Sequence, residues 1–249
     1  MQQTSENVEP SGVPPCNLEE EVLRFPAFGL ICCKVPGDVN TPVKDEFKRY
    51  VKKRNEGYGY EGFDLSIDAR FDPDSTLFYV KSARTGKILS SSRINIRSPG
   101  LIVPFEMGVI TPFYDRLVER GQIDALEASL DEDGAQYVID EEGVLCDVNS
   151  FAMTTAKGLP MMFAAMGRFI CDLDAARAFC LLDRDNQRIV DMYTQVGFHL
   201  SEQYPEQVIF PTYGKTVDGV FAPTRWSIME MDRPTLESNA ELTASFEKP

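Results

Sequence analysis

The sequence predicts a single α/β domain in which helices lie against one layered sheet. Hairpin-like strands come first along the chain, and a strand–helix–strand–helix–strand series follows in the second half. Of the 249 residues, 43% are apolar and 26% are charged, which is typical of a globular protein with a sizeable core. No linker or repeat divides the chain. We therefore expect one domain at 25–232, between loose polar tails at 1–24 and 233–249.

A strand and a basic helix open the predicted domain. The apolar run 30–35 predicts the strand. Thr41 and Pro42 are the residue types that cap a helix and occupy its first position, so they predict where the helix begins. The positions that share one face of this helix at helical spacing are Val43, Phe47, Tyr50 and Val51.

Turn and helix-cap residues predict the order of strands and helices in the rest of the chain. Two apolar runs, 77–82 and 88–96, flank the turn residues Arg84-Thr-Gly-Lys87, which predicts a β-hairpin. Gly197 has the position of a helix C-terminal cap. The remaining predicted helices are 113–130, 159–173 and 186–196, and the remaining predicted strands are 137–139, 144–153, 178–182, 208–210 and 226–231.

Charge and composition exclude several function classes. The net charge of −14 argues against attraction of nucleic acid or anionic lipid to the whole surface. No apolar run reaches the roughly 18 residues of a membrane span, and no secretory signal is recognisable. The six cysteines match no zinc or redox spacing. We therefore expect a cytoplasmic protein with reduced thiols, no metal, no membrane span and no nucleic-acid partner.

The most specific pattern lies in the second half of the chain. A predicted strand is followed by the glycine-bearing turn 154–158 and a helix, and such a turn presents backbone N–H groups to a phosphate. One strand later, Asn186 precedes a helix that ends Tyr193-Thr-Gln-Val-Gly-Phe198.

This pattern resembles the GNAT acyltransferase superfamily. The resemblance implies a mixed, mostly antiparallel central sheet flanked by helices, and an acyl-CoA or phosphopantetheine-linked acyl group as co-substrate, with no permanently bound cofactor. It also implies a strand bulge for the thioester carbonyl, a phosphate turn, and Tyr193 as the acid that protonates the departing thiolate. The residues implied to bind the acyl donor are Phe151, Ala152, Met153, Thr154, Thr155, Lys157, Gly158, Leu159 and Asn186.

The predicted hairpin carries a narrower resemblance. Its residues Tyr79 to Arg93 are similar to a hairpin of the bacterial acyl-homoserine-lactone (autoinducer) synthases and long-chain N-acyl amino acid synthases. Asp147-Val-Asn-Ser-Phe-Ala152 corresponds to their Glu-x-x-Arg-Phe-Ala strand, with Asp in place of Glu and Ser in place of Arg. The resemblance implies that Arg93, Asp64 and Asp68 bind the acceptor.

Acyl transfer to an amine requires a proton acceptor, a polarised carbonyl and a proton for the thiolate. We expect Glu106 or Asp147 to take the amine proton and Tyr193 to supply the other. Structural roles are the alternatives: an acidic strand residue also forms salt bridges, and Tyr193 has the spacing of a core residue. Arg93 either binds an acceptor carboxylate or pairs with an acid in the sheet.

The basic helix is a candidate docking surface. A solvated helix face is one interpretation, and attraction of an acidic acyl carrier protein is the other. The basic residues concerned are Lys44, Lys48, Arg49, Lys52, Lys53 and Arg54.

The leading hypothesis is an N-acyltransferase that moves a fatty acyl group from an acyl carrier protein or acyl-CoA to an amino acid or similar amine. Apolar residues around the phosphate turn are expected either to border an acyl tunnel or to form ordinary core. They are Met153, Met161, Met162, Phe163 and Met166. A short-chain acetyl-CoA-dependent N-acetyltransferase and a catalytically degenerate acyl-binding protein are the alternatives.

Overall fold

The structure is a computed structural model that describes residues 18–63, 65–97, 130–131, 134–135, 144–202 and 207–249. The described helices are α1 (Pro42–Gly57), α2 (Leu65–Asp68), α3 (Leu159–Asp172), α4 (Gln187–Gln195) and α5 (Arg233–Glu241). The described strands are β1 (Glu20–Phe25), β2 (Leu30–Pro36), β3 (Tyr60–Glu61), β4 (Ser75–Ser82), β5 (Ile88–Arg97), β6 (Leu130–Asp131), β7 (Gly134–Ala135), β8 (Val144–Met153), β9 (Ala175–Asp183), β10 (His199–Leu200), β11 (Gln207–Val217) and β12 (Val220–Asp232). None of these helices combines the length and apolar character of a membrane span.

One sheet runs through the described domain. Its strand order is β1-β2-β4-β5-β8-β9-β12-β11-β3, and β10 pairs with β12 beside this path. Within the described residues, β8 and β9 run parallel and the other neighbouring strands of this sheet run antiparallel. The expected fold class, a mixed and mostly antiparallel sheet flanked by helices, is confirmed.

Side-chain alternation along the strands gives the sheet two distinct faces. On the face covered by α3, here the α3 face, Phe78, Ile94 and Val148 belong to the core cluster that includes the buried side of α3. On the opposite face, the α1 face, Leu77 and Tyr79 pack in the cluster that contains Phe47 and Val51 of α1. Successive residues of one strand therefore point to different helices.

The predicted helix boundaries follow local capping chemistry. The Thr41 side chain accepts a hydrogen bond from Lys44 N at 3.1 Å, and Pro42 occupies the start of α1. Gly197, just past α4, has a φ of +99°, a backbone conformation that glycine adopts readily. Both expectations are confirmed.

The expectation of loose tails at both ends of the domain is wrong for the described residues, because these residues form a strand and a helix. Strand β1 pairs antiparallel with β2, and its Leu23 is buried in the core. Helix α5 buries Leu236, and Asp232 caps it by accepting from Thr235 N at 3.0 Å. Arg24 N donates to Glu247 O at 2.7 Å, so the two ends pair with each other. Residues 1–17 of the expected tail lie outside the described residues.

Strands β11 and β12 are longer than the expected strands 208–210 and 226–231. Asp218 and Gly219 join them with φ values of +51° and +78°, as in the tight turns that favour long hairpins. Residues 113–129 of the expected helix 113–130 and the whole expected strand 137–139 lie outside the described residues. Leu130, expected at the end of that helix, begins β6 instead.

Candidate active site

A gap opens between the two parallel strands at the centre of the sheet. Strands β8 and β9 pair at four positions, and the last pair is Asp147 with Phe179. Beyond it β8 continues to Met153 and β9 to Asp183, and no ladder pair joins the described residues of these two extensions. We call the space between 148–153 and 180–183 the strand gap. Over this interval the facing edges of the two strands do not pair with each other, although both strands lie in the middle of the sheet.

A bulge in β8 borders the strand gap. Ser91 pairs with Ala152 and Arg93 pairs with Asn149, so β8 has one more residue than β5 over this interval. Ser150 has a φ of +50°, which is uncommon for a residue other than glycine. Such a bulge takes one residue out of the ladder and re-aims the neighbouring backbone groups. The bulge expected near 151–153 therefore lies slightly earlier, at 150–151.

The turn 154–158 leads from β8 into α3 at the open end of the gap. Thr154 N donates to Leu89 O at 2.8 Å, and the Thr155 hydroxyl accepts from Lys157 N at 3.3 Å. Gly158 packs directly on Val80: a Cβ at this position would lie 2.8 Å from Val80 Cγ1. The absence of a side chain thus allows the turn to rest on β4 and places the start of α3 beside the gap.

Buried polar side chains line the α1 face beside the gap. Arg93 is 1% exposed, and its Nη1 lies 2.9 Å from Asp68 Oδ1. Its Nε donates to Asn149 Oδ1 at 2.7 Å, and Asn149 Nδ2 donates to Asp147 Oδ2 at 2.9 Å. The amide orientation of Asn149 is fixed because guanidinium only donates and carboxylate only accepts. A continuous chain of hydrogen bonds thus links Asp68 to Asp147, which is fully buried.

Two lysines of α1 complete this set of charges. Lys48 Nζ lies 3.0 Å from Asp68 Oδ2 and 2.8 Å from Asp72 Oδ2, and Lys44 Nζ lies 2.9 Å from Asp72 Oδ2. We call Lys44, Lys48, Asp68, Asp72 and Arg93 the ion network. It holds α1 against the sheet through paired charges as well as through apolar contacts.

The expectation that all six basic residues of α1 form an exposed surface is wrong for Lys44 and Lys48. Together with Phe47 and Val51 they lie at helical spacing on the buried side of α1. Their ammonium groups consequently point at carboxylates under the helix. The remaining basic residues of α1 are exposed or half-buried and are not part of this set of charges: Arg49, Lys52, Lys53 and Arg54.

Tyr193 lies on the α3 face of the sheet, opposite Asp147. The residue is 3% exposed. Its ring packs among those of Phe151, Phe163 and Phe198, with centroid distances of 5.6, 6.0 and 5.3 Å. The structure thus places these two predicted residues on either side of the sheet at the gap. Of the other predicted site residues, Glu106 and Asp64 lie outside the described residues.

A second acidic group, which sequence reasoning missed, ends β9 at the gap. Asp183 is 3% exposed; its Oδ2 accepts from the Tyr60 hydroxyl and, at 3.1 Å, from Lys215 Nζ. Its Oδ1 accepts from Asp185 N at 3.1 Å. Burial of the Tyr60 hydroxyl, reinforced by the neighbouring carboxylate, raises the pKa of Tyr60. We call Tyr60, Asp183 and Lys215 the Asp183 cluster.

Aromatic rings surround this cluster. Tyr60 stacks on Tyr213 with 5.2 Å between ring centroids, and Trp226 lies 5.6 Å from Tyr213. Lys215 Nζ lies 4.0 Å from the Tyr60 ring centroid, within the range of a cation–π contact. No sequence motif marks this group, since 123 positions separate Tyr60 from Asp183.

Helix α1 connects the two sides of the gap. The Tyr58 hydroxyl, immediately after α1, donates to Met153 O at the end of β8 at 2.7 Å. Asn55 Oδ1 accepts from the Tyr213 hydroxyl of β11 at 3.0 Å. The end of α1 therefore contacts strands on both sides.

Thiol and metal chemistry find little support among the described residues. Cys32, Cys33, Cys146, Cys171 and Cys180 are free thiols, and burial raises the pKa of Cys146 to about 12. The part of the chain that the structure describes contains no group of three His, Cys, Asp or Glu side chains that could hold a metal ion.

Parted parallel strands, a bulge beside them and a helix that starts at the open end decide the architecture. The chain has a GNAT-like fold. A solved structure of an uncharacterised protein from Bacillus halodurans is similar over 91% of this chain and 96% of that one, with a TM-score of 0.51 and 12% identity.

Two further solved structures are similar at lower TM-scores. FeeM, an N-acyl amino acid synthase from uncultured soil microbes, is 16% identical with a TM-score of 0.49 over 88% of this chain and 98% of that one. A GNAT family acetyltransferase from Elizabethkingia anophelis with acetyl-CoA bound is 8% identical with a TM-score of 0.44, over 82% and 98% respectively. No protein-family profile and no curated protein sequence matches the chain.

Proposed function

We propose that this protein is an N-acyltransferase that moves an acyl group from a thioester to an amine. The observation that carries the proposal is the strand gap. The bulge at Ser150 borders this gap, and the start of α3 lies at its open end. A pantetheine arm is narrow and extended, and strand backbone in such a gap offers it hydrogen bonds along its length.

The donor site is the gap together with the turn that follows β8. Backbone N–H groups re-aimed by the bulge polarise the thioester carbonyl and stabilise the oxyanion that forms on attack. The start of α3 attracts the phosphate of the arm. Pro160 contributes no N–H there, and the exposed Lys157 beside it supplies positive charge.

The amine approaches from the α1 face, where the buried acids lie. Asp147 lies four residues before Phe151 of the bulge and accepts the proton that the amine loses through intervening water, with its carboxylate oriented by Asn149. Arg93 is already bonded to Asp68 and Asn149. We therefore assign it the role of positioning these two side chains, rather than a direct contact with the acceptor. Asp68, which was also predicted to bind the acceptor, shares this positioning role through its ion pair with Arg93.

Tyr193 is the proposed proton donor to the departing thiolate. Its helix α4 follows β9, one wall of the gap, and its ring packs against Phe151 in the bulge. Tyr193→Phe keeps the ring and its packing and removes only the hydroxyl. We expect kcat to fall on the order of a hundredfold, with an unchanged urea midpoint.

A fatty acyl chain is the favoured donor group. Methionines adapt to irregular apolar chains, and the residues next to the turn form a buried apolar group on the α3 face. Its members are Met153, Met161, Met162, Phe163 and Met166. If the donor is fatty, stabilisation by acyl-CoA increases with chain length; if acetyl-CoA stabilises as much as myristoyl-CoA, the short-chain alternative is favoured.

Acyl carrier protein is the favoured carrier of that group. Arg84 and Lys87 of the β4–β5 turn and Lys157 of the donor turn are exposed at elements that meet beside the gap. Ala83 N donates to Gly29 O at 2.8 Å, and Lys157 Nζ lies 5.8 Å from the Phe28 ring. In a chain with a net charge of −14, this cationic rim favours an acidic partner.

Release of free thiol tests the proposal directly. Acyl-CoA and acyl carrier protein substrates, from acetyl to myristoyl, are incubated with a panel of amino acids and simple amines. Reversing Arg84, Lys87 and Lys157 to Glu should slow turnover with carrier protein, whereas reversing Arg168 on the outer side of α3 should not. If no donor and amine combination releases thiol, the enzyme assignment is wrong and the acyl-binding alternative takes its place.

A further inference from the structure

Asp183 is level with the bulge in β8, where the proposed function puts the reacting carbonyl. Asp147 and Phe179 are the last paired residues of β8 and β9. Asp183 follows Phe179 by four residues, which is about 13 Å along a strand. Phe151, the second residue of the bulge, likewise follows Asp147 by four residues. Of the two acids that border the gap, Asp183 is therefore the one at the height of the bulge.

The side chain of Asp183 points to the face from which an amine approaches. Its neighbours Cys180 and Leu182 belong to the core on the α3 face, where Leu182 is 3% exposed. Because successive strand residues alternate, Asp183 points to the α1 face. Its contact with Tyr60, which follows the last residue of α1 by three positions, agrees with this direction.

The chemistry around Asp183 is that of a site for a primary ammonium group. The carboxylate supplies charge, the Tyr60 hydroxyl keeps that carboxylate in place, and the Tyr60 ring offers a π face. An amine is already there: Lys215 Nζ lies 3.1 Å from Asp183 Oδ2 and 4.0 Å from the ring centroid. The lysine side chain is 32% exposed, whereas the carboxylate side chain is 4% exposed. The cation is thus the exchangeable partner of the pair.

We propose that Asp183 and Tyr60 form the binding subsite for the ammonium group of the acceptor, and that Lys215 occupies this subsite until the acceptor displaces it. This inference rests on the proposed function for the identity of the amine as acceptor. It differs from the ion network, in which Asp68 and Asp72 face cations that are themselves buried. The predicted substrate class is a primary amine whose ammonium group matches the end of a lysine side chain.

Two variants separate the roles within the subsite. Asp183→Asn keeps the shape but removes the charge, so the KM for the amine should rise on the order of tenfold or more. Lys215→Met removes the competing ammonium, so the KM for the amine should fall severalfold. The KM for the donor should not change in either variant. An amine KM that is unchanged or raised in Lys215→Met overturns the proposal.

Lys34 provides a matched control. Its Nζ lies 3.1 Å from Glu20 Oε2 and 5.6 Å from the Phe169 ring centroid, and its side chain is 27% exposed. It therefore has the same kind of partners as Lys215, but on β2 at the other end of the sheet. Lys34→Met should leave the KM for the amine unchanged.

A binding measurement tests the subsite without acyl transfer. The protein is labelled with ¹³C,¹⁵N-lysine, and the Lys215 signal is assigned by its absence in Lys215→Met. Addition of n-butylammonium chloride should move that signal to the position of exposed lysines, leave the Lys34 signal in place, and have no effect on Lys215 in Asp183→Asn. A Lys215 signal that does not respond overturns the subsite. Displacement of Lys215 without any thiol release would instead uphold the subsite and overturn only the proposed function.

Discussion

Removing the charge of Asp68 should destabilise the fold far more than removing a surface carboxylate. Asp68 is 7% exposed, and its two carboxylate oxygens lie 2.9 Å from Arg93 Nη1 and 3.0 Å from Lys48 Nζ. Asp68→Asn keeps the shape but leaves both cations to Asp72, whose Oδ1 is 3.9 Å from Arg93 Nη1. Loss of one partner of a buried ion pair costs about 3–5 kcal/mol. We expect the free energy of unfolding to fall by that amount.

Urea unfolding followed by circular dichroism measures this loss. Asp172→Asn is the control, because its partner Arg168 and Asp172 have side chains that are 63% and 57% exposed. Such a surface pair contributes at most about 1 kcal/mol. The double variant Lys48→Met with Asp68→Asn should be more stable than the sum of the single losses predicts, since it removes a cation together with its anion. Strict additivity, or equal losses for Asp68→Asn and Asp172→Asn, would refute the role given to the ion network.

Three further outcomes follow from the geometry. Gly158→Ala should raise the KM for the donor, and adding Val80→Ala should recover part of that loss, because a Cβ on residue 158 would lie 2.8 Å from Val80 Cγ1. Stability should fall above pH 9, because burial raises the pKa of Cys146 from 9.0 to about 12 and the thiol therefore loses its proton in the unfolded chain before it does so in the folded one. This group contributes up to about 1.4 kcal/mol to the free energy of unfolding per pH unit. Cys146→Ala should flatten the pH dependence of the urea midpoint. Asp232→Ala should lower the free energy of unfolding by about 1 kcal/mol in thermal melts, because it removes the cap that accepts from Thr235 N at 3.0 Å; equal stability would show that α5 needs no cap.

Local signals in the sequence were sufficient for most elements that position the site. Thr41 with Pro42 and the Gly197 cap mark helix ends through hydrogen bonds and dihedral angles that involve only a few neighbouring residues. The glycine turn before α3 was identified for the same reason. Its packing partner Val80 was not, since the contact depends on the sheet that brings distant strands together.

The site itself depends on contacts that sequence spacing does not encode. Tyr60 meets Asp183 only because β3 and β9 join the same sheet through β11 and β12. The inward direction of Lys44 and Lys48 was readable in part, since their spacing matches that of Phe47 and Val51, but their charge favoured a solvated interpretation. Paired buried carboxylates reverse that preference, and those acids come from a different part of the chain.

The contacts at the end of α1 also affect how the two halves of the sheet are connected. In the described part of the chain, four residue pairs join β8 to β9, so few backbone hydrogen bonds connect the two halves of the sheet on either side of the strand gap. Tyr58 fastens this helix end to one half at Met153, and Asn55 fastens it to the other through Tyr213. Any displacement of the end of α1 is therefore expected to be transmitted to strands on both sides of the strand gap.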